Sequence, residues 1–408
     1  MTVDRRSLSG RTGHFDAIVL TSVLWLLTKF VRFAFPPLFE QLASVYDISA
    51  AVLGTAFSGL LLVYAAMQFP SGLLADRFSS VAVIGAGASL AAVGALTLAV
   101  DSPLVVLVGA MLTIGAGTGP IKTVGIRVLS RTYPERTGRA LGVFDTIGTL
   151  GGAAAPATVV LFASLPGLVG ASWRTTFLVA GLVGVAVTVA FVYRVPQRLP
   201  DAETDEADGG TAVPIREYGA LFREWRFSVF VLVTTLFSFA YNATLAFLPL
   251  YFTREAGLDS TTASLLFSAL FAVSMVQLLT GEISDRMGTL PLVALTVGLA
   301  TTGLGSILLL SDVAGPLVLG GAVVCLGIGA HGYRPVRGAY LMSVIPTSVA
   351  GGSLGAVRTI QMIAGAASPA LVGVLSETAG LRPAFVILTA ALLVATGLSL
   401  LLWLFDSS

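Results

Sequence analysis

Between Gly115 and Pro156 the chain reads GAGTGPIKTVGIRVLSRTYPERTGRALGVFDTIGTLGGAAAP. Between Gly327 and Pro369 it reads GIGAHGYRPVRGAYLMSVIPTSVAGGSLGAVRTIQMIAGAASP. Each stretch is a pair of apolar, glycine-rich segments joined by a short turn. At an offset of about 212 residues, Pro134 falls on Pro346, Gly142 on Gly355 and Pro156 on Pro369. Charges repeat as well: Lys122 meets Arg334, and Asp145 meets Arg358.

The repeat runs outward through both halves. FPPLF at 35–39 matches FLPLY at 247–251, Asp47 matches Asp259, and GLLADRFSS at 72–80 matches GEISDRMGT at 281–289. Of the 408 residues, 55% are hydrophobic and 11% charged, against about 25% charged in a soluble protein. The mean hydropathy is +0.91. The apolar residues fall in blocks of about 20–25, the length that crosses a hydrocarbon core. The ~10-residue alternating segments of a transmembrane barrel are absent. The pattern predicts an all-α membrane protein of twelve transmembrane helices. They are expected at roughly 15–39, 50–73, 80–100, 103–130, 138–164, 172–194, 226–253, 261–284, 289–311, 314–343, 350–376 and 382–404.

Two pseudo-symmetric six-helix bundles follow, residues 1–194 and 226–408. The connection at 195–225 holds DAETDEADGG, too acidic and polar to fold alone, and is expected to be a cytoplasmic linker. Duplication of this kind is the sequence sign of a transporter whose bundles move about a central site. Basic residues set the orientation. Arg5, Arg6, Arg11, Arg77, Arg131, Arg136, Arg139, Arg194, Arg198, Arg216, Arg223, Arg226 and Arg286 lie on one predicted side, and only Arg174, Arg254 and Arg382 on the other. Both termini are therefore expected in the cytoplasm, with the chain in the inner or plasma membrane. The polar N-terminus lacks the compact apolar core of a cleavable signal peptide.

GxxxDR occurs twice, as Gly72-Asp76-Arg77 and Gly281-Asp285-Arg286, and YPERTGRALG spans 133–142. These resemble motifs of the major facilitator superfamily, and the resemblance covers nearly the whole chain. It implies two six-helix bundles, a central cavity and alternating access. It also implies a gate formed by Asp76, Arg77, Asp145, Asp285, Arg286 and Arg358, in which Asp76 lies near Arg358 and Arg286 near Asp145. The subfamily patterns depart. Val108–Thr113 contain no base, where drug–proton antiporters of the superfamily carry an arginine, and 155–160 lack their glycine pair.

Seven bases fall inside predicted spans: Lys29, Arg32, Lys122, Arg127, Arg334, Arg337 and Arg358. Each costs about 2.5–3.5 kcal/mol at a helix centre. Only Asp145 is a clearly intramembrane acid, which leaves most of these bases unmatched, and an anionic solute would complete the balance. Lys29 and Arg32, three residues apart, share a helix face. Tyr241 and Asn242 hold the matching place in the second half. The expected substrate residues are Lys29, Arg32, Lys122, Tyr241, Asn242, Arg334 and Arg337. Arg127 is expected to be a surface or gate charge, and His331 a packed residue. An aspartate among bases loses affinity for protons, so a permanent ion pair is expected at Asp145. The sequon Asn242-Ala243-Thr244 lies in a predicted span.

The implied function is secondary transport of a small solute, an anion above all, coupled to a proton or sodium ion. The alternative is efflux of amphipathic drugs. An enzyme is not expected, since two histidines and one cysteine cannot assemble a catalytic or metal cluster. Nothing in the sequence calls for a cofactor, a nucleic acid or a partner chain. A monomer in the lipid bilayer is expected.

Overall fold

The computed structural model describes residues 15–168, 170–196, 222–345 and 350–406. Most of the predicted linker, the basic N-terminal residues, the side chains of Asp285 and Ala350, and Pro346 lie outside the described set. Among the described residues, twelve helical spans are long and apolar enough to cross a membrane. They are α1 Asp16–Phe33, α2 Ala50–Arg77, α3 Ser80–Thr97, α4 Leu104–Thr132, α5 Thr137–Ala163 and α6 Ser172–Arg194. The second set is α7 Trp225–Arg254, α8 in two pieces (Ser260–Ala272 and Val276–Met287), α9 Thr289–Leu310, α10 Pro316–Val344, α11 Ala350–Thr378 and α12 Leu381–Asp406.

Ten of the spans end within a few residues of the sequence expectation, and two differ in kind. The first is broken: α1 stops at Phe33, a 3-10 turn covers Pro36–Leu38, and a short helix Phe39–Tyr46 follows. Two prolines in succession remove consecutive N–H donors, so the α-helical ladder cannot run through them. The eighth is interrupted by a 3-10 turn at Val273–Met275. There Gly327 of α10 presses on Leu270 and Val273 so closely that a Cβ would lie 2.6 Å from a Val273 methyl. Pro335 sits inside α10, which stays helical through it. The sequon at Asn242 lies within α7.

The matched aspartates part company. Asp259 caps α8: its Oδ1 accepts from the Thr262 N–H at 3.0 Å and its Oδ2 from the Thr262 hydroxyl at 2.6 Å. Hydrogen bonding by Thr262 holds the Asp259 carboxyl below the usual carboxylate range. Asp47 instead ends the short helix in the left-handed region, at φ 49°.

The chain divides into two compact units, Met1–Phe35 with Gly59–Asp205, and Pro36–Ser58 with Glu206–Ser408. Helix α2 thus begins in the second unit and ends in the first. Within the first unit α1 packs on α5, and α3 packs on α4 and α6. Within the second, α7 packs on α11, and α9 on α10 and α12. These are the same pairings at the repeat offset. The glycines of the quoted stretches make them close. Gly117 lies against the backbone of Gly87 and Ala91 in α3, and its counterpart Gly329 against Thr296 and Ala300 in α9. Gly115 meets the Leu60 carbonyl as Gly327 meets that of Leu270. Small residues in these places let backbones touch, which drives helix association where no hydrophobic force acts between apolar surfaces.

The start of α2 is held equally tightly in the second unit. A Cβ on Gly54 would overlap the Pro369 carbonyl of α11. The Ser58 hydroxyl accepts from the Ala370 N–H at 2.8 Å, and the Glu377 carboxylate accepts from the Ala51 N–H at 2.9 Å.

One helix supplies both arms of a test. A Cβ at Gly151 of α5 would overlap the Leu26 carbonyl of α1, whereas Gly142 has nothing within 4 Å of its Cβ position. Gly151→Ala should destabilise the detergent-purified protein by about 1–3 kcal/mol, the usual cost of overpacking. Gly142→Ala should leave the thermal midpoint level or raise it. Equal midpoints for the two variants would show that α1 and α5 are not in backbone contact.

Candidate functional site

In the first unit the charged site is assembled on α1, where Trp25, Lys29 and Arg32 recur at spacings of four and three and so share one face. The Trp25 indole stacks on Phe144 of α5, with centroids 5.7 Å apart and planes at 18°. Gly148, one turn beyond Phe144, makes room for it, since a Cβ there would overlap the indole. Two ammonium groups gather on this ring. Lys29 Nζ lies 4.8 Å from the indole centroid, and Lys122 Nζ of α4 lies 5.0 Å from both the Trp25 and the Phe144 rings. Lys122 is also in direct ionic contact with the Asp145 carboxylate.

Arg32 is only 6% exposed. Its guanidinium lies flat on Tyr64 of α2, 3.8 Å from the ring centroid. Its Nε and Nη2 are buried and make no hydrogen bond. Those two nitrogens lie on one edge of the guanidinium, the edge that grips a carboxylate or sulfonate with two parallel N–H···O bonds. Arg32 is thus stacked and buried with that edge unused among the described residues.

Two of the seven bases, both on α4, meet acids within the first unit. Lys122 meets Asp145 because α4 and α5 are neighbours joined by a short turn. Arg127, farther along α4, meets Asp76 of α2. The ion pair expected at Asp145 is present. Of the expected gate, Asp76 and Asp145 each have a base inside their own unit, and Arg286 pairs with Glu282 one turn back, at 2.6 Å. Arg77 lies beside Phe78, 5.6 Å from its ring.

The second unit carries its bases differently. Arg334 of α10 faces the Tyr241 ring at 5.7 Å. Arg337, one turn on, donates to the Gln361 side-chain oxygen of α11 at 3.0 Å and lies 5.8 Å from the Tyr333 ring. Phe237 links the group, 5.8 Å from Tyr241 and 4.4 Å from Tyr333. The hydroxyls of Tyr241 and Tyr333 are buried without hydrogen bonds. Asn242 is used within the unit: its amide donates to the Ser238 carbonyl at 2.9 Å, and Ser238 in turn donates to the Gln361 carbonyl at 2.8 Å. His331 is fully buried against Phe271, as expected of a packed residue. Arg358 lies on α11.

Trp25, Tyr64, Tyr333 and Gln361 belong to these sites and escaped the sequence reading. Trp25 had a signal, since it sits four and seven residues before the two bases of α1. Tyr64 and Gln361 had none, because each reaches its arginine from another helix. No cluster of metal-ligating residues occurs among the described residues.

Over residues 21–369 the sequence matches the Major Facilitator Superfamily. It is 27% identical over 362 residues to the probable sulfoacetate transporter SauU of Cupriavidus necator, covering 82% of this chain and 80% of that protein. It is 24% identical over 387 residues to the D-galactonate transporter of Escherichia coli O6:H1, covering 86% of each. The fold is similar to the crystal structure of a D-xylose-proton symporter, with a TM-score of 0.77 at 15% identity over 95% of this chain and 97% of that one.

The ion pair on α4 and α5 is open to a stability test. Lys122→Met strands the Asp145 charge and should lower the thermal midpoint, by an amount on the order of 1 kcal/mol because Asp145 is half exposed. Adding Asp145→Asn should recover most of the loss. A double variant no more stable than Lys122→Met alone would show that the two groups do not interact.

Proposed function

The chain belongs to the Major Facilitator Superfamily and is a membrane transporter, not an enzyme; we propose that it carries a small organic anion by alternating access. One observation carries the choice of an anion: the vacant Nε–Nη2 edge of buried Arg32, held on Tyr64. An isolated guanidinium is costly to desolvate, and a carboxylate or sulfonate offsets that cost best, because both oxygens are met in one plane. Lys29 and Lys122 beside Trp25, and Arg334 and Arg337 beside Tyr241 and Tyr333, add positive potential in the two units. Relatives named for sulfoacetate and D-galactonate transport, both acids, support the same class of solute. An amphipathic drug cation would need an acid in the place that Arg32 holds.

The remaining parts of the proposal follow the sequence. The functional halves are 1–194 and 226–408, joined by the 195–225 linker, with both termini in the cytoplasm. The protein acts as a monomer in the plasma membrane, driven by a proton or sodium gradient. Asp76, Arg77, Asp145, Asp285, Arg286 and Arg358 take gating roles when the two halves move.

Uptake of labelled sulfoacetate and D-galactonate into proteoliposomes tests the reading, with a cationic dye as the contrast. At least one acid should enter saturably. Arg32→Lys, which keeps the charge and loses the planar edge, should weaken apparent affinity for it by about 10–100-fold, as expected for a bidentate charged hydrogen bond. Full activity in Arg32→Gln, or transport of the dye in preference to the acids, would overturn it.

A further inference from the structure

By sequence α2 belongs to the first half, yet its start, residues 50–58, lies in the second unit with α11. Two hydrogen bonds hold it there, and they are reciprocal. The Ala51 N–H donates to the Glu377 carboxylate of α11 at 2.9 Å, and the Ala370 N–H of α11 donates to the Ser58 hydroxyl at 2.8 Å. Ala51 and Ser58 are seven residues apart, as are Ala370 and Glu377, so the bonds lie about two turns apart on antiparallel stretches. Alongside them a Cβ on Gly373 would lie 2.7 Å from the Ala50 carbonyl oxygen, and one on Gly54 would overlap the Pro369 carbonyl. The two ends differ in their access to water. Ser58 is 3% exposed, whereas Glu377 is exposed.

Glu377 is badly placed for its own helix and well placed for α2. It is the next-to-last residue of α11, whose last turn holds no base, and a carboxylate is unfavourable at that negative end. At the start of α2 the same charge faces N–H groups that have no partner within the helix. Helix α8 meets that need from its own segment, since Asp259 accepts from the Thr262 N–H. The matching Asp47 closes the short helix before α2 instead. Ser49 reaches the Val52 N–H only at 3.4 Å, longer than an ordinary N–H···O bond. Helix α2 therefore takes its cap from α11. In the orientation proposed above, this end of α2 faces outward. Resting on the alternating-access part of that reading, and not on the choice of solute, we infer that Glu377 is the releasable end of a clasp between α2 and α11. It caps α2 while the outer side is closed and yields the Ala51 N–H to water when that side opens, with the buried Ser58 end as the pivot. Because the cap exists in only one of the two states, it biases the transporter toward outer closure.

The measurement is the dipolar coupling between nitroxide labels on Val52→Cys and Val374→Cys, exposed positions beside the clasp, in the purified full chain carrying Cys325→Ala. This parent protein should show a short distance as its main population. Glu377→Ala should move the closed-to-open ratio toward open by about two- to tenfold, the effect of losing one helix cap. Ser49→Asp added to Glu377→Ala gives α2 a cap of its own in both states. It should restore the thermal midpoint and leave the clasp as open as in Glu377→Ala alone. A Glu377 that merely stabilises α2 would instead let Ser49→Asp restore closure, and that result would overturn the inference. So would an unchanged distance distribution in Glu377→Ala. Parent protein that transports while keeping a single distance would overturn the clasp and leave the transport reading standing. A single distance together with no uptake of sulfoacetate, D-galactonate or the cationic dye would overturn both.

Discussion

The first unit depends on how closely two helix backbones can approach. α1 and α5 meet where Gly148 leaves space for the Trp25 indole and Gly151 lies against the Leu26 carbonyl. Helices in lipid gain nothing from hiding apolar faces from water, so contact of this kind must come from small residues and dispersion. That approach brings Phe144 onto Trp25, and the stacked rings then receive Lys29 and Lys122. Asp145, next to Phe144, meets Lys122 from the same helix. A larger residue at 148 would separate the rings and scatter three charges.

Those charges are tolerable in a membrane because aromatic faces and one acid share them. The ring quadrupole contributes about 2 kcal/mol or more to a desolvated cation, which offsets much of a cost of about 2.5–3.5 kcal/mol for a base at mid-membrane. Arg32 is the exception that defines the site. Tyr64 covers its face, but nothing satisfies its Nε–Nη2 edge. Buried donors left in that state are rare and costly. The second unit solves the same problem with neutral groups. Arg337 donates to the Gln361 side-chain oxygen, and both arginines lie near tyrosine rings.

The two halves have therefore kept packing and changed chemistry. Gly115 and Gly117 work as Gly327 and Gly329 do, and the helix pairings agree at the repeat offset. At matching places Lys29 stands opposite Tyr241 in the repeat, and Asp145 opposite Arg358. Backbone contact tolerates almost no substitution, whereas a side chain outside such a contact can change.

The sequence by itself determined the number of spans, the duplicated plan and most helix limits, because hydropathy over about 20 residues and proline and glycine punctuation are local properties. It also marked Lys29, Arg32, Lys122, Arg334 and Arg337, since a base inside an apolar run is conspicuous without any structure. What it could not supply was partnership. The Lys122–Asp145 and Arg127–Asp76 pairs, the vacant edge of Arg32 on Tyr64, and the Gln361 oxygen on Arg337 each join separate helices. Nor did matching positions guarantee matching roles, as the N-cap at Asp259 and the left-handed turn at Asp47 show. Only the tertiary structure decided which charges are neutralised, because that depends on which helix backbones can touch, and contact distance is written in no single segment of the chain.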